Sequence, residues 1–189
     1  MVTGLLTDAA AAMDGRLMMA RGESFSGAAI DSRKVRAGEL FFALAGTRVD
    51  GHGFVGAALD RGAAAAVIDR ARASEVDPGA SRIEVADPFQ ALHALTRHVR
   101  HRVPRQLAGV TGSAGKTTTK ELLAGMLERR YKTAASPGNL NNLYGFPLAL
   151  MGVPGIEQLD GSAVAAGLPV CDSHVTSAFP HLELGRWSY

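Results

Sequence analysis

Residues 106–119 read QLAGVTGSAGKTTT, and this stretch determines the fold class expected for the segment around it. Its apolar start, from Gln106 to Val110, is typical of a buried strand, and it runs into a glycine-rich loop. A helical pattern follows from Thr117 to about Tyr131. A strand, a glycine loop and a helix in this order place backbone N–H groups and the positive end of a helix dipole around one anion. The stretch therefore predicts an α/β domain that holds a nucleotide phosphate.

The loop itself supplies the residues that would contact bound ATP. The pattern predicts that Lys116 reaches the β- and γ-phosphates, which makes it the catalytic candidate, and that the Thr117 hydroxyl ligates the accompanying Mg²⁺. Val110 stands where the longer G-x-x-x-x-G-K-[ST] pattern has glycine, so the loop has the shorter T-G-x-x-G-K-T form. The alternative is a glycine-rich turn without a ligand, which the strand–loop–helix context disfavours. The cofactor-binding candidates are Thr111, Gly112, Ser113, Ala114, Gly115, Lys116, Thr117 and Thr118.

Upstream of the loop, short apolar runs alternate with helical patterns. This alternation predicts a small α/β domain over residues 1–102, and residues 101–105 are the expected linker to a second domain at 106–189. An Ala-rich run from Leu5 to about Ala20 predicts a first helix, and Asp87 before Pro88 is a helix start. The predicted strands are 28–30, 40–44, 64–68 and 82–85, and the other predicted helices are 54–61, closed by Gly62, and 88–102.

Composition excludes several classes of protein. The 189 residues are 47% hydrophobic and 20% charged, as in an ordinary globular protein, and the net charge of +2 is too small to indicate nucleic acid as a partner. Cys171 is the single cysteine, so no internal disulfide can form. The sequence shows neither a signal peptide nor an apolar run long enough to cross a bilayer. We therefore expect a cytoplasmic monomer that does not insert into membranes.

Several motifs, in order along the chain, resemble the Mur ligases, which build the peptide stem of bacterial cell-wall precursors. The loop, together with the TTKE that follows it at residues 118–121, is similar to the family's ATP-binding loop. Residues 31–44 (DSRKVRAGELFFAL) and 46–54 (GTRVDGHGF) resemble two elements of its N-terminal domain. Residues 136–148 (SPGNLNNLYGFPL) resemble a G-N-x-N-N-x-x-G-x-P-L signature, which is typical of the branch that adds D-alanyl-D-alanine.

The resemblance implies an N-terminal α/β domain that binds a UDP-sugar, followed by a partial α/β ATPase domain. The reaction implied is ATP-dependent amide-bond formation, which joins D-alanyl-D-alanine to UDP-N-acetylmuramoyl-tripeptide through an acyl phosphate, with ATP and Mg²⁺ as cofactors. Hydroxyl, guanidinium and amide groups suit a diphosphate or uracil edge. The substrate-binding candidates are Ser32, Arg33, Arg48, Asp50, Gly51, His52, Asn139 and Asn142.

The resemblance extends to about residue 159, and the tail at 160–189 departs from it. Residues 161–168 (GSAVAAGL) lack the acidic residue that the family uses to help hold Mg²⁺. We interpret the chain as a truncated ligase that retains at most nucleotide and UDP-sugar binding and does not complete the reaction. Three alternatives remain: the ligase that adds the third stem residue, a folylpolyglutamate synthetase, and a non-catalytic nucleotide-binding remnant. The Asn-rich segment and the Asp-Ser-Arg element disfavour the folate enzyme.

Overall fold

The computed structural model describes residues 3–46, 49–102, 106–110, 114–131, 133–135, 143–152 and 164–168. The chain divides into two compact units, Met1–Arg100 and His101–Tyr189. Each unit contains a sheet of its own with mostly or entirely parallel strands, so the predicted α/β class is confirmed. Among the helices in the described ranges, none has both the length and the apolar character needed to cross a bilayer.

The first unit is built on a five-stranded sheet. The strand order is β2-β7-β6-β5-β4, in which β4 to β7 are parallel and β2 pairs antiparallel with β7; β1 and β3 form a separate antiparallel pair. The strands are β1 (Thr3–Leu5), β2 (Arg16–Met18), β3 (Ser24–Ser26), β4 (Ala28–Ala29), β5 (Leu40–Phe42), β6 (Ala65–Asp69) and β7 (Arg82–Val85). The helices are α1 (Leu6–Ala12), α2 (Val55–Asp60) and α3 (Pro88–Arg102), with 3₁₀ helices at Gly51–Phe54 and Arg70–Glu75.

The central strands of this sheet are buried on both faces. All three residues of β5 are at most 1% exposed, as are the first four residues of β6. On one face, Phe41 and Ile68 pack in a cluster with Val55 and Ala58 of α2. Continuous apolar runs without polar alternation are the pattern expected for such strands, and the strands predicted at 28–30, 40–44, 64–68 and 82–85 are confirmed.

Two predicted helices of this unit are also confirmed, together with their boundaries. Asp87 starts α3, because its Oδ1 accepts hydrogen bonds from the backbone N–H groups of Phe89 at 2.7 Å and Gln90 at 3.3 Å. Gly62 follows α2 with a φ of +94°, a left-handed conformation that suits the residue just after a helix. Its N–H donates to the Leu59 carbonyl at 2.9 Å.

The predicted helix from Leu5 to Ala20 is wrong beyond Ala12. Asp14 adopts a φ of +50°, and Gly15 lies where an added Cβ would be 2.7 Å from Cγ2 of Ile83. The chain turns there and continues as β2 along the edge of the sheet. Alanine-rich composition favours a helix locally, but pairing with β7 outweighs that preference.

The second unit contains a three-stranded parallel sheet with the order β8-β10-β9. Its elements are β8 (Gln106–Gly109), α4 (Lys116–Glu128), β9 (Thr133–Ala135), α5 (Gly145–Gly152) and β10 (Val164–Leu168). The predicted strand at 106–110 and the predicted helix after the loop are confirmed. The strand β10 lies between the other two, although its sequence departs from the family pattern. Residues 110–115 connect β8 to α4 along the chain.

We predict opposite effects for alanine at two glycines near α2. Gly62→Ala places a Cβ on a left-handed residue 3.3 Å from Cα of Ala37, and we expect it to lower the free energy of unfolding by about 1–2 kcal/mol. Gly56→Ala is the matched control, because Gly56 is exposed within α2 with nothing within 4 Å of its added Cβ. It should be neutral or stabilise by up to about 1 kcal/mol. Urea unfolding of both variants measures the difference in stability. Equal destabilisation by the two substitutions would contradict the left-handed conformation described for Gly62.

Candidate functional site

The carboxyl edge of the first sheet gathers most of the predicted substrate-binding residues. Parallel strands β4, β5 and β6 are neighbours, so the segments that leave their carboxyl ends share one edge, where open α/β sheets bind ligands. Residues 30–33 follow β4, residues 43–54 follow β5, and the 3₁₀ helix Arg70–Glu75 follows β6. The candidates brought to this edge are Ser32, Arg33, Asp50, Gly51 and His52.

After β4, an aspartate and an arginine form a local bidentate pair. Asp31 accepts hydrogen bonds from Nε and Nη2 of Arg33, each at 2.9 Å, and from its backbone N–H at 3.0 Å. The side-chain hydrogen bond from Arg33 and then its backbone N–H lower the pKa of Asp31 to about 2. The Arg33 side chain is 82% exposed, so the guanidinium can reach a ligand, whereas Ser32 is buried.

After β5, Asp50 and His52 define the conformation of the next loop. Oδ1 of Asp50 lies 3.0 Å from both the backbone N and Nδ1 of His52, and it thereby caps the 3₁₀ helix Gly51–Phe54. Gly51 is required here, because an added Cβ would lie 2.6 Å from the backbone N of Leu44. These backbone constraints explain why Asp-Gly-His occurs as a unit.

One backbone contact fixes the protonated nitrogen of the His52 ring. The N–H of Asp69, at the end of β6, donates to Nε2 of His52 at 3.1 Å. Nε2 must therefore be the unprotonated acceptor, so the neutral ring carries its proton on Nδ1 and donates it to Asp50. The His52 side chain is 3% exposed and both of its ring nitrogens are engaged. The buried His52 ring therefore stabilises the loop through its contacts with Asp50 and Asp69 and does not face solvent.

Arg72 completes this cluster and is not among the residues predicted from the sequence. Its Nη1 lies 2.5 Å from Oδ2 of Asp50, while its Nε and Nη2 lie 2.9 Å and 2.5 Å from the two carboxylate oxygens of Glu75. Two carboxylates raise the pKa of Arg72 above its ordinary value, with Glu75 the larger cause. Arg72 lies shortly after β6, a buried parallel strand, and this place in the sequence is the signal that could have indicated it.

In the second unit, the start of α4 presents an anion-binding geometry. Gly115 precedes the helix with a φ of +75°, and among the described residues no side chain caps the helix N-terminus or places an acid in its first turn. Thr117 and Thr118 are exposed and Lys116 is half-buried, while Ala114 is exposed at the end of the loop. Uncapped N–H groups beside a lysine and a hydroxyl fit a phosphate with its Mg²⁺.

Lys120 is a second feature that the sequence analysis did not identify. It lies one helical turn after Lys116, its side chain is 3% exposed, and its Nζ is 2.8 Å from Oε1 of Glu121. A lysine is rarely buried to this extent unless it is paired.

Other sequence predictions concern residues outside the described ranges. Within those ranges, no group of three or more His, Cys, Asp or Glu side chains could hold a metal ion. The candidates outside the described residues are Arg48, Thr111, Gly112, Ser113, Asn139 and Asn142, together with the tail at 169–189 and its Cys171.

Comparison with known proteins identifies two family domains in the chain. A sequence model described as "Mur ligase family, catalytic domain" matches residues 24–100, and one described as "Mur ligase middle domain" matches residues 110–157. The chain is 41% identical over 150 residues to the UDP-N-acetylmuramoyl-tripeptide–D-alanyl-D-alanine ligase of Treponema pallidum. The matched region covers 75% of this chain and 33% of that protein. It is 38% identical over 128 residues to the ligase of the same name from Bacillus subtilis, and this match covers 68% of the chain and 28% of the relative.

Solved structures give the same picture. A crystal structure of MurF from Acinetobacter baumannii matches with a TM-score of 0.73 at 29% identity, covering 89% of this chain and 36% of that one. MurF from Thermotoga maritima in complex with ADP matches with a TM-score of 0.64 at 29% identity, covering 82% and 35%. The chain therefore spans about a third of the length of the relatives that it matches.

We predict that Asp50 makes the stability of the first unit sensitive to acid. The His52 backbone N–H, then the His52 ring and Arg72, lower the pKa of Asp50 to about 2 from 3.8. A depressed carboxyl pKa stabilises the fold above the unfolded value, and this contribution disappears as the pH falls from about 4 to 2. The side chain is 44% exposed, so we expect about 1 kcal/mol.

Urea unfolding of Asp50→Asn at pH 7 and near pH 2.5 tests this expectation. The substitution should destabilise the protein at pH 7 and have a much smaller effect near pH 2.5, where aspartate is itself losing its charge. Asp60→Asn, at an exposed position of α2, is the control. An equal loss of stability at both pH values would show that the Asp50 carboxylate charge does not contribute.

Proposed function

This chain belongs to the Mur ligase family, and we propose that it carries the UDP-substrate-binding and ATP-phosphate-binding parts of a ligase. The proposed reaction adds D-alanyl-D-alanine to UDP-N-acetylmuramoyl-tripeptide during peptidoglycan precursor synthesis. The observation that carries the proposal is the uncapped start of α4, where Gly115, Lys116 and Thr117 follow a parallel strand. In this proposal residues 1–102 form the substrate domain and residues 106–189 belong to the ATPase domain.

In the second unit, the proposed ligand is ATP with Mg²⁺. ATP bound there would supply the phosphoryl group that activates a carboxylate for amide formation. The backbone N–H groups at the start of α4 would hold phosphate oxygens, Lys116 would neutralise their charge, and the Thr117 hydroxyl would face the metal ion. The ADP complex of the Thermotoga relative supports a nucleotide of this class.

In the first unit, the proposed ligand is the UDP part of the substrate. Arg33 is exposed and its guanidinium has the geometry that suits a phosphate, while Asp50, Gly51 and His52 shape the neighbouring loop. Arg48 and Ser32 remain candidates for further contacts. The carboxyl edge of a parallel sheet is the place where such folds bind nucleotides, which supports the proposal.

The choice of D-alanyl-D-alanine rests on the Asn-rich segment and on the names of the relatives. Asn139 and Asn142 belong to the segment that resembles the signature of this branch, and the relatives compared above carry that activity in their names. The ligase that adds the third stem residue is the alternative, and it is favoured by neither observation. We also propose that the protein acts in the cytoplasm as a monomer, where UDP-linked precursors and ATP are available.

We predict that the 189-residue chain binds Mg²⁺-ATP or ADP, and that Lys116→Ala reduces the affinity at least about tenfold. A hydrogen bond to a charged group is worth about 1.5–3 kcal/mol, which corresponds to a loss of this size. Arg129→Ala, at the opposite end of α4, removes a positive charge equally and serves as the control. Isothermal titration calorimetry measures both variants. Equal affinities of the Lys116→Ala and Arg129→Ala chains would remove the phosphate-site assignment.

A further inference from the structure

Arg72 connects two segments that are distant in sequence but adjacent at the carboxyl edge of the first sheet. It belongs to the 3₁₀ helix after β6, and Asp50 belongs to the loop after β5. The Arg72 guanidinium lies between Asp50 and Glu75 and satisfies both, with a bidentate arrangement toward Glu75. We call Asp50, His52, Arg72 and Glu75 the Arg72 clamp.

The clamp is closed by contacts that do not involve Arg72. His52 is joined to Asp50 through its backbone N–H and ring, and Nε2 of His52 accepts from the N–H of Asp69. Asp69 in turn caps the 3₁₀ helix that carries Arg72, because its Oδ1 accepts from the Ala71 N–H at 2.9 Å. The loop after β5 and the helix after β6 are therefore tied together at two separate points.

We infer that Arg72 is a positioning residue that holds the loop at residues 49–54 in the conformation needed to bind the UDP part of the substrate. This inference rests on the proposed function of the first unit. Arg72 acts through Asp50, whose carboxylate it orients, and Asp50 in turn holds the backbone of the 3₁₀ helix Gly51–Phe54.

The geometry distinguishes this arginine from an ordinary surface ion pair. An exposed pair between neighbours on one helix contributes little, since both side chains give up freedom to form it. The Arg72 side chain is 29% exposed, and it reaches across 22 residues of sequence to a loop that carries three substrate-binding candidates. Networks in which one guanidinium orders two carboxylates have a fixed geometry that a single pair lacks.

Three variants of the full chain test the inference, with UDP as the probe. In Arg72→Met the stem is kept and the charge is removed, and Arg72→Lys restores the charge without the bidentate fork. Arg70→Met is the matched control, because Arg70 is exposed on the same 3₁₀ helix. The measurements are amide hydrogen exchange of residues 49–54, UDP affinity by calorimetry, and Mg²⁺-ATP affinity as a control that reports on the second unit.

We expect Arg72→Met to raise amide exchange in residues 49–54 and to weaken UDP binding about tenfold, because binding must then order a loop that is no longer held in place. Arg72→Lys should recover part of the affinity, and Arg70→Met should match the unsubstituted chain. Mg²⁺-ATP affinity should be unchanged in all three.

Two outcomes would overturn the inference. In the first, Arg72→Met and Arg70→Met show the same loop exchange and the same UDP affinity. In the second, exchange rises uniformly through β4 to β7, which would make Arg72 a general structural residue. A different result, failure of the unsubstituted chain to bind UDP, would refute the proposed substrate of the first unit, while the exchange comparison would still decide whether Arg72 holds the loop.

Discussion

Parallel pairing of β5 on both of its edges is the constraint on which the first unit depends. The strand has no polar face, since Phe41 packs toward α2 while Leu40 and Phe42 are buried as well. A strand of this kind is stable only when both faces of its sheet are covered and both of its edges are paired. The parallel order that results brings the segments after β4, β5 and β6 to one edge. The candidate substrate site is a consequence of how this core is buried.

At that edge, the positive charges of the arginines are paired with carboxylates. Arg33 is paired with Asp31, and Arg72 is shared between Asp50 and Glu75, so neither arginine acts as an unbalanced cation. A phosphate bound at this edge, as proposed, would meet hydrogen-bond donors whose directions are already set. Preorganised donors of this kind lose less conformational freedom on binding than mobile ones do. The start of α4 works differently, because the N–H groups of its first turn provide positive potential from the backbone itself.

The family resemblance read from short motifs is confirmed, and so are the α/β class and most predicted strands and helices. These features follow from local patterns: glycine and lysine before a helix, an aspartate cap before Pro88, and apolar runs at 40–44 and 64–68. The prediction failed for residues whose conformation depends on partners that are distant in the sequence. The first helix ends early because Gly15 packs against Ile83 and Val85, which lie almost seventy residues away.

By itself the sequence determined the four buried parallel strands of the first sheet, the helices α2 and α3, the strand and helix around the glycine loop, and which residues carry groups suited to phosphate. Only the tertiary structure decided what those groups do. The proton on Nδ1 of His52 depends on the N–H of Asp69, and the role of Arg72 depends on β5 and β6 being neighbours in register. The central place of β10 likewise comes from pairing with β8 and β9 rather than from a motif. Local preferences are set by adjacent side chains, whereas hydrogen-bond partners across a sheet exist only once the core has fixed the strand order.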